Sequence, residues 1–246
     1  MIEQLPTLPL LALALAIVVF ASSLQAAVGM GFGMVAAPLL ALIDPLLSPV
    51  PILMAGMVVA VWGAWHERGN IAGSEIVAGL GGRIIGSSLA LALLLVFSDQ
   101  NSFYVLFGVL ILIAVLLTAL GKKVAFTLPN HWMLSTVSGL MGTITSVGAP
   151  PMAILYQGQR PEKIRPTLNA LFFAGCVIGL VSLGLAGRLM MEHLVLSAII
   201  LPGVFAGIWL ARYFRTDSAK KLSAVMLIVS GAAAAVLILK GLGIFA

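Results

Sequence analysis

Few side chains inside the apolar stretches of this 246-residue chain could hold or transform a small molecule. Arg83 stands seven residues beyond Ile76, inside such a stretch, roughly 10 Å along a helix rising 1.5 Å per residue. Two readings stand for it. Its guanidinium suits a sulfonate or carboxylate through paired N–H bonds, or its long stem carries the charge back to the edge of the apolar layer. Asn169 offers an amide donor near the start of another stretch, and Gln25, with Ser22 or Ser23, takes a similar position before the first group of glycines. Two clusters of helix-unfriendly residues complete the set: Gly29, Gly31, Gly33 and Pro38, then Gly142, Thr143, Thr145, Ser146, Gly148 and Pro151. Either they free backbone amides for a ligand, or they allow close helix packing.

Other chemistries lack their residues. Asp44, Asp99 and Glu192 lie at the ends of apolar runs, so no carboxylate within a run offers a proton or sodium relay, and coupling to H+ or Na+ is not legible. An enzyme would need a nucleophile with its base, or clustered carboxylates, inside the runs. His66 and His131 adjoin Trp65 and Trp132 at run ends, as interfacial anchors do, and His193 falls beside Glu192 in an expected short loop. Three scattered histidines give no metal spacing, and no cofactor is expected. The single cysteine, Cys176, excludes an internal disulfide and reads as packing.

The elements that position these residues follow from composition. The chain is 61% hydrophobic and 9% charged, with mean hydropathy +1.18, far from the roughly one-quarter charged residues of soluble domains. It is an integral membrane protein with a single membrane domain over residues 1–246, because the loops are too short for another. The net charge of +5 does not indicate nucleic acid, since the basic residues sit in short loops beside apolar runs. No Lys or Arg precedes Arg68, which argues against a cleaved signal peptide.

Eight apolar stretches are expected: Leu8–Ile43, Val50–Trp65, Ile76–Phe97, Phe103–Leu120, Trp132–Tyr156, Thr167–Ala186, Leu194–Phe214 and Leu222–Leu242. The first would run about 54 Å as a helix, too long for one crossing and short for two. It and Trp132–Tyr156 carry the two break clusters. Simple alternation of eight spans divides the basic loops between both faces. If each broken stretch returns to its own side, Arg68, Lys122, Lys123, Arg160, Lys163, Arg165, Arg212, Arg215, Lys220 and Lys221 share the cytoplasmic face, leaving Arg83, Arg188 and Lys240 as exceptions. The expected fold is therefore all-α, with two inverted repeats over about 8–120 and 131–243. Each is a broken, re-entrant helical hairpin followed by three transmembrane helices, and both termini are non-cytoplasmic.

The halves align. GMGFGMVAAPLLAL at Gly29–Leu42 faces GTITSVGAPPMAIL at Gly142–Leu155, and Gly82 with Gly86 corresponds to Gly203 with Gly207, a spacing that lets membrane helices approach closely. Non-helical backbone survives in hydrocarbon only where protein or a cavity covers it, and a half-helix beginning at a break points free N–H groups and a positive dipole end at the midplane. That arrangement favours a small anion as the partner.

On these motifs, with HERGNIAGSEIVAGLGGRIIGSSLAL and RLMMEHLVLSAIILPGVFAGIWLARYF, the chain resembles the sulfite exporter TauE/SafE family from about Ala21 to Leu239. The resemblance implies a prokaryotic inner-membrane carrier for sulfite, a sulfonate such as sulfoacetate, or a related organic anion. The second glycine motif departs from the family pattern, placing Thr143, Thr145 and Ser146 where glycines are usual. An anion channel and a non-transporting assembly subunit are the alternatives, and the oligomeric state is not legible.

Overall fold

A computed structural model describes residues 6–97, 99–213 and 218–244. These form ten α-helices and no strand: α1 Leu8–Val28, α2 Phe32–Ile43, α3 Val50–His66, α4 Gly73–Val96, α5 Gln100–Leu120, α6 Leu128–Thr145, α7 Ala149–Tyr156, α8 Pro161–Leu185, α9 Met191–Leu210 and α10 Ser218–Gly241. Arg215 lies outside the described residues, as do the side chains of Lys220 and Lys221.

Six helices among the described residues are long and apolar enough to cross a membrane, namely α1, α3 with the 3-10 turn before it, α4, α5, α8 and α9. α1 alone, at 21 residues, spans about 31 Å. The chain leaves helical geometry at Gly29, the first residue of the first expected break cluster. The outer surface is apolar: Val77, Val96, Leu116, Leu185 and Ile228 are all exposed, as a lipid-facing surface requires. At helix ends beside basic residues sit Trp65 with Arg68 at 4.5 Å and Trp209 with Arg212 at 3.9 Å, an interfacial arrangement.

Some helix starts carry a side-chain cap. Asp99 accepts the Ser102 N–H at 2.8 Å ahead of α5, and this bond holds its carboxyl below the usual carboxylate range. Arg188, one of the three basic residues outside the cytoplasmic set, donates to the carbonyls of Leu94 and Phe97 and so satisfies the C-terminal end of α4. His193 lies within α9, not in a loop, and accepts the Met190 N–H through Nδ1 at 3.1 Å. His131 is buried against Tyr156 and Phe126 instead of anchoring at the interface, while exposed His66 stacks on Trp62.

Packing pairs the halves in a reciprocal way. α4 lies parallel to α6, where Gly82 meets Ser135 and Gly86 meets Thr136 and Leu140. α9 lies parallel to α1, where Gly203 meets Leu15 and Val18 and Gly207 meets Val19 and Ser22. α3 runs antiparallel to α8, with Gly56 near Cys176 and Gly63 near Asn169, and α5 runs antiparallel to α10, with Gly108 near Ala234 and Gly241 near Val105. α2 packs on α10 as α7 packs on α5.

The parallel crossings depend on missing side chains. A Cβ on Gly86 would sit 2.0 Å from the Thr136 carbonyl oxygen, and one on Gly207 would sit 2.4 Å from that of Val19. Gly86→Leu and Gly207→Leu should each destabilise by about 1–3 kcal/mol or more through overpacking, read as a lower thermal unfolding midpoint in detergent. Gly184→Ala, with nothing within 4 Å of the added carbon and a helical backbone that alanine favours, should not lower the midpoint.

Candidate functional site

The two helix breaks meet. α1 ends on Gly29, whose φ of 90° is left-handed and whose N–H returns to the Gln25 carbonyl at 2.7 Å. After Gly31, at φ 120°, α2 begins with Phe32, whose N–H is taken by the Gln25 side-chain oxygen at 3.0 Å. In the second half α6 ends on Ser146, a non-glycine residue at φ 62°. Hydroxyls stabilise this turn: Ser146 Oγ donates to the Pro49 carbonyl at 3.1 Å, and Thr145 Oγ1 donates to Met141 O while accepting from Val147 N. A Cβ on Gly33 would lie 2.1 Å from Ser146 O, so the start of α2 rests directly on the second break.

Arg83 points into this meeting place. Its side chain is 3% exposed, which replaces the snorkelling reading with a buried cation. Tight packing explains the position, since Gly139 of α6 lets the Arg83 backbone come so near that a Cβ there would sit 2.6 Å from its carbonyl oxygen. The guanidinium then reaches between α6 and α8. Nη2 donates to Ser138 Oγ at 2.9 Å, Ser138 in turn donates to Gly148 O, and the Phe172 ring lies 5.4 Å away. Gly175 is indispensable to this geometry, because a Cβ there would overlap Nη1 at 1.6 Å.

No carboxylate pairs with Arg83 among the described residues, whose ion pair joins Lys163 to Glu75. Nε is buried without a partner. An isolated charge in a low-dielectric interior costs several kcal/mol, and such a residue in a membrane segment marks a ligand or ion path. The counter-charge has a place to sit. A cavity of about 50 Å³ adjoins the guanidinium and is lined by Gln25, Gly31, Gly33, Gly142, Ser146 and Gly148 of the residues expected from sequence, together with Phe32, Phe172, Gly175 and Cys176.

Other expected residues lie apart from it. Gly29 and Asn169 join Gln25 in a second cavity of about 120 Å³. Thr143 shares a 2.8 Å hydrogen bond with Ser87, Thr145 serves its own turn, Pro38 is buried within α2, and Pro151 occupies the first turn of α7. Ser23 donates to Val19 O, and Ser22 lines neither cavity. Sequence reasoning missed Ser138, Phe172 and Gly175. A signal existed for two of them, since Ser138 precedes Gly142 by one helical turn and Gly175 precedes Gly179 by the same spacing. Cys176, expected as filler, borders the cavity.

The arrangement can bind an oxyanion but supplies no nucleophile with an adjacent base. No group of three or more metal-ligating side chains occurs among the described residues. The profile of the family described as sulfite exporter TauE/SafE matches residues 14–234. No curated protein and no solved structure matches the chain.

An unpaired cation implies a stability cost without ligand. Arg83→Met should therefore raise the unfolding midpoint of the ligand-free protein, by the equivalent of about 1–4 kcal/mol. A lowered midpoint in differential scanning would mean that the guanidinium is a structural donor instead.

Proposed function

The chain belongs to the sulfite exporter TauE/SafE family of sulfur-anion transporters, and we propose that it carries a compact oxyanion of the sulfite class out of the cell, with Arg83 as its counter-charge. The carrying observation is the buried guanidinium with no carboxylate partner, facing a cavity between two interrupted helices.

Size supports the same class. At roughly 10–15 Å³ for each water-sized group, about 50 Å³ admits some four such groups, the extent of one sulfur with three oxygens. Sulfoacetate and related sulfonates carry a carbon skeleton that would need a wider cavity. One guanidinium edge would face the anion while Nη2 remains on Ser138, and the amides after Phe32 at the start of α2 would add donors, whereas α7 offers little there because Pro150 and Pro151 have no N–H.

The transport cycle in this reading is alternating access between inverted repeats over about 8–120 and 131–243. The packing supports such a relation: the corresponding helices α3 and α8 are antiparallel, as are α5 and α10, while α4 pairs with α6 as α9 pairs with α1. The breaks also address opposite ends of α3, since Ser146 bonds Pro49 before its start, whereas Asn169, bonded to Gln25, packs on Gly63 near its end. With the basic loops cytoplasmic, the protein sits in a prokaryotic inner membrane with both termini outside.

Proteoliposomes loaded with sulfite should show saturable efflux. Arg83→Ala should reduce it about a hundredfold, because the anion would enter an apolar site unpaired, and Arg83→Lys should retain charge but lose the planar fork. Wild-type flux and affinity in Arg83→Ala would exclude the proposed site.

A further inference from the structure

The Arg83 cavity has a neighbour. The second cavity, bounded by Gly29, His66, Glu67, Arg165 and Asn169, lies at the C-terminal ends of α1 and α3 and the N-terminal end of α8, beside the basic loops. Among the described residues, Gln25 is the one side chain common to both linings. It is held by two hydrogen bonds, one of them to a side chain that is itself anchored. Its Nε2 donates to Asn169 Oδ1 at 3.2 Å, its Oε1 accepts the Phe32 N–H at 3.0 Å, and Asn169 is itself fixed by donating to Arg165 O at 2.9 Å. Asn169 has no lateral freedom toward α3, since a Cβ on Gly63 would lie 2.7 Å from its Nδ2.

We infer that the Gln25–Asn169 pair is a latch between a cytoplasmic vestibule and the Arg83 cavity, so that separation of the two carboxamides admits the anion from the vestibule. The inference rests on the Arg83 cavity being the transported anion's site, and it adds the route and the barrier. The vestibule is suited to passage more than retention, because Arg165 and Glu67 place opposite charges on its wall. The carboxamides are suited to a reversible closure, because a neutral hydrogen bond between them opens without leaving a buried charge, and each amide can then solvate the passing oxyanion. The latch also joins moving parts: Gln25 belongs to α1, holds the first amide of α2, and clasps α8.

The chain carries its own reporter. Cys176, its one cysteine, borders the Arg83 cavity and is not part of the vestibule lining. The impermeant reagent sulfonatoethyl methanethiosulfonate, applied to sealed vesicles of either orientation, should modify Cys176 slowly in the native chain. Asn169→Ala and Gln25→Met should each accelerate modification about tenfold from the basic-loop side, the upper range of what one such hydrogen bond restrains. The double variant should be no more than about twofold faster than either single, because both break the same Gln25–Asn169 hydrogen bond. If Gln25→Met does not yield a monodisperse protein, Asn169→Ala alone carries the test. Unchanged rates in the variants, multiplied rates in the double variant, or acceleration confined to the opposite side would overturn the latch. Sulfite consumes the reagent, so its binding is read separately by thermal shift on the same preparations. Accelerated labelling without a sulfite shift in the native chain would leave the latch standing and remove the Arg83 site, while a sulfite shift with unaltered labelling would remove the latch alone.

Discussion

A single unpaired positive charge in a non-aqueous interior organises the centre of this protein. A folded bundle of this hydropathy gains nothing in stability from Arg83, and apolar side chains of similar volume would be easier to bury. The proposed transport of an anion rests on this buried guanidinium, which no carboxylate pairs among the described residues. Its surroundings are consistent with that role: Ser138 holds one edge, Phe172 covers a face, Gly175 makes room, and the remaining side opens on the cavity.

Holding the charge there requires backbones nearer together than side chains ordinarily permit. α4 and α6 come together along Gly82, Gly86 and Gly139, and α1 and α9 along Gly203 and Gly207. Lipid offers no hydrophobic drive for helix association, so such close contact supplies the van der Waals energy that does. Each half thereby supports the broken segment of the other. The second-half element α6 leans on α4 of the first half, and α1 of the first leans on α9 of the second. The interrupted backbone is thus shielded from hydrocarbon by helices of the opposite half of the chain, which meets the requirement that irregular backbone be covered.

Much of this was legible from residue types alone. Gly29 and Gly31 announce a left-handed turn, Pro150 and Pro151 suit a helix start, and the glycine pairs one turn apart announce close crossings. The depth of Arg83 was not, since a long flexible stem can reach outward or inward and only its neighbours decide. Phe172 and Gly175 were invisible for a related reason: their part arises where α8 meets α4, a contact nearly a hundred residues apart in sequence. His131 misled because a tryptophan beside it suggested the interface, whereas α7 folds back and buries it under Tyr156.

The two turns differ in material. One is spelled with glycines, which meet no torsional penalty in the left-handed region and carry no side chain to tether them. Its counterpart places a serine in that region and braces it with hydroxyl bonds to Pro49 and Met141. The two helix breaks therefore differ in compliance. Torsional freedom is greater at the glycine turn, and the serine turn is the one its neighbours hold in shape.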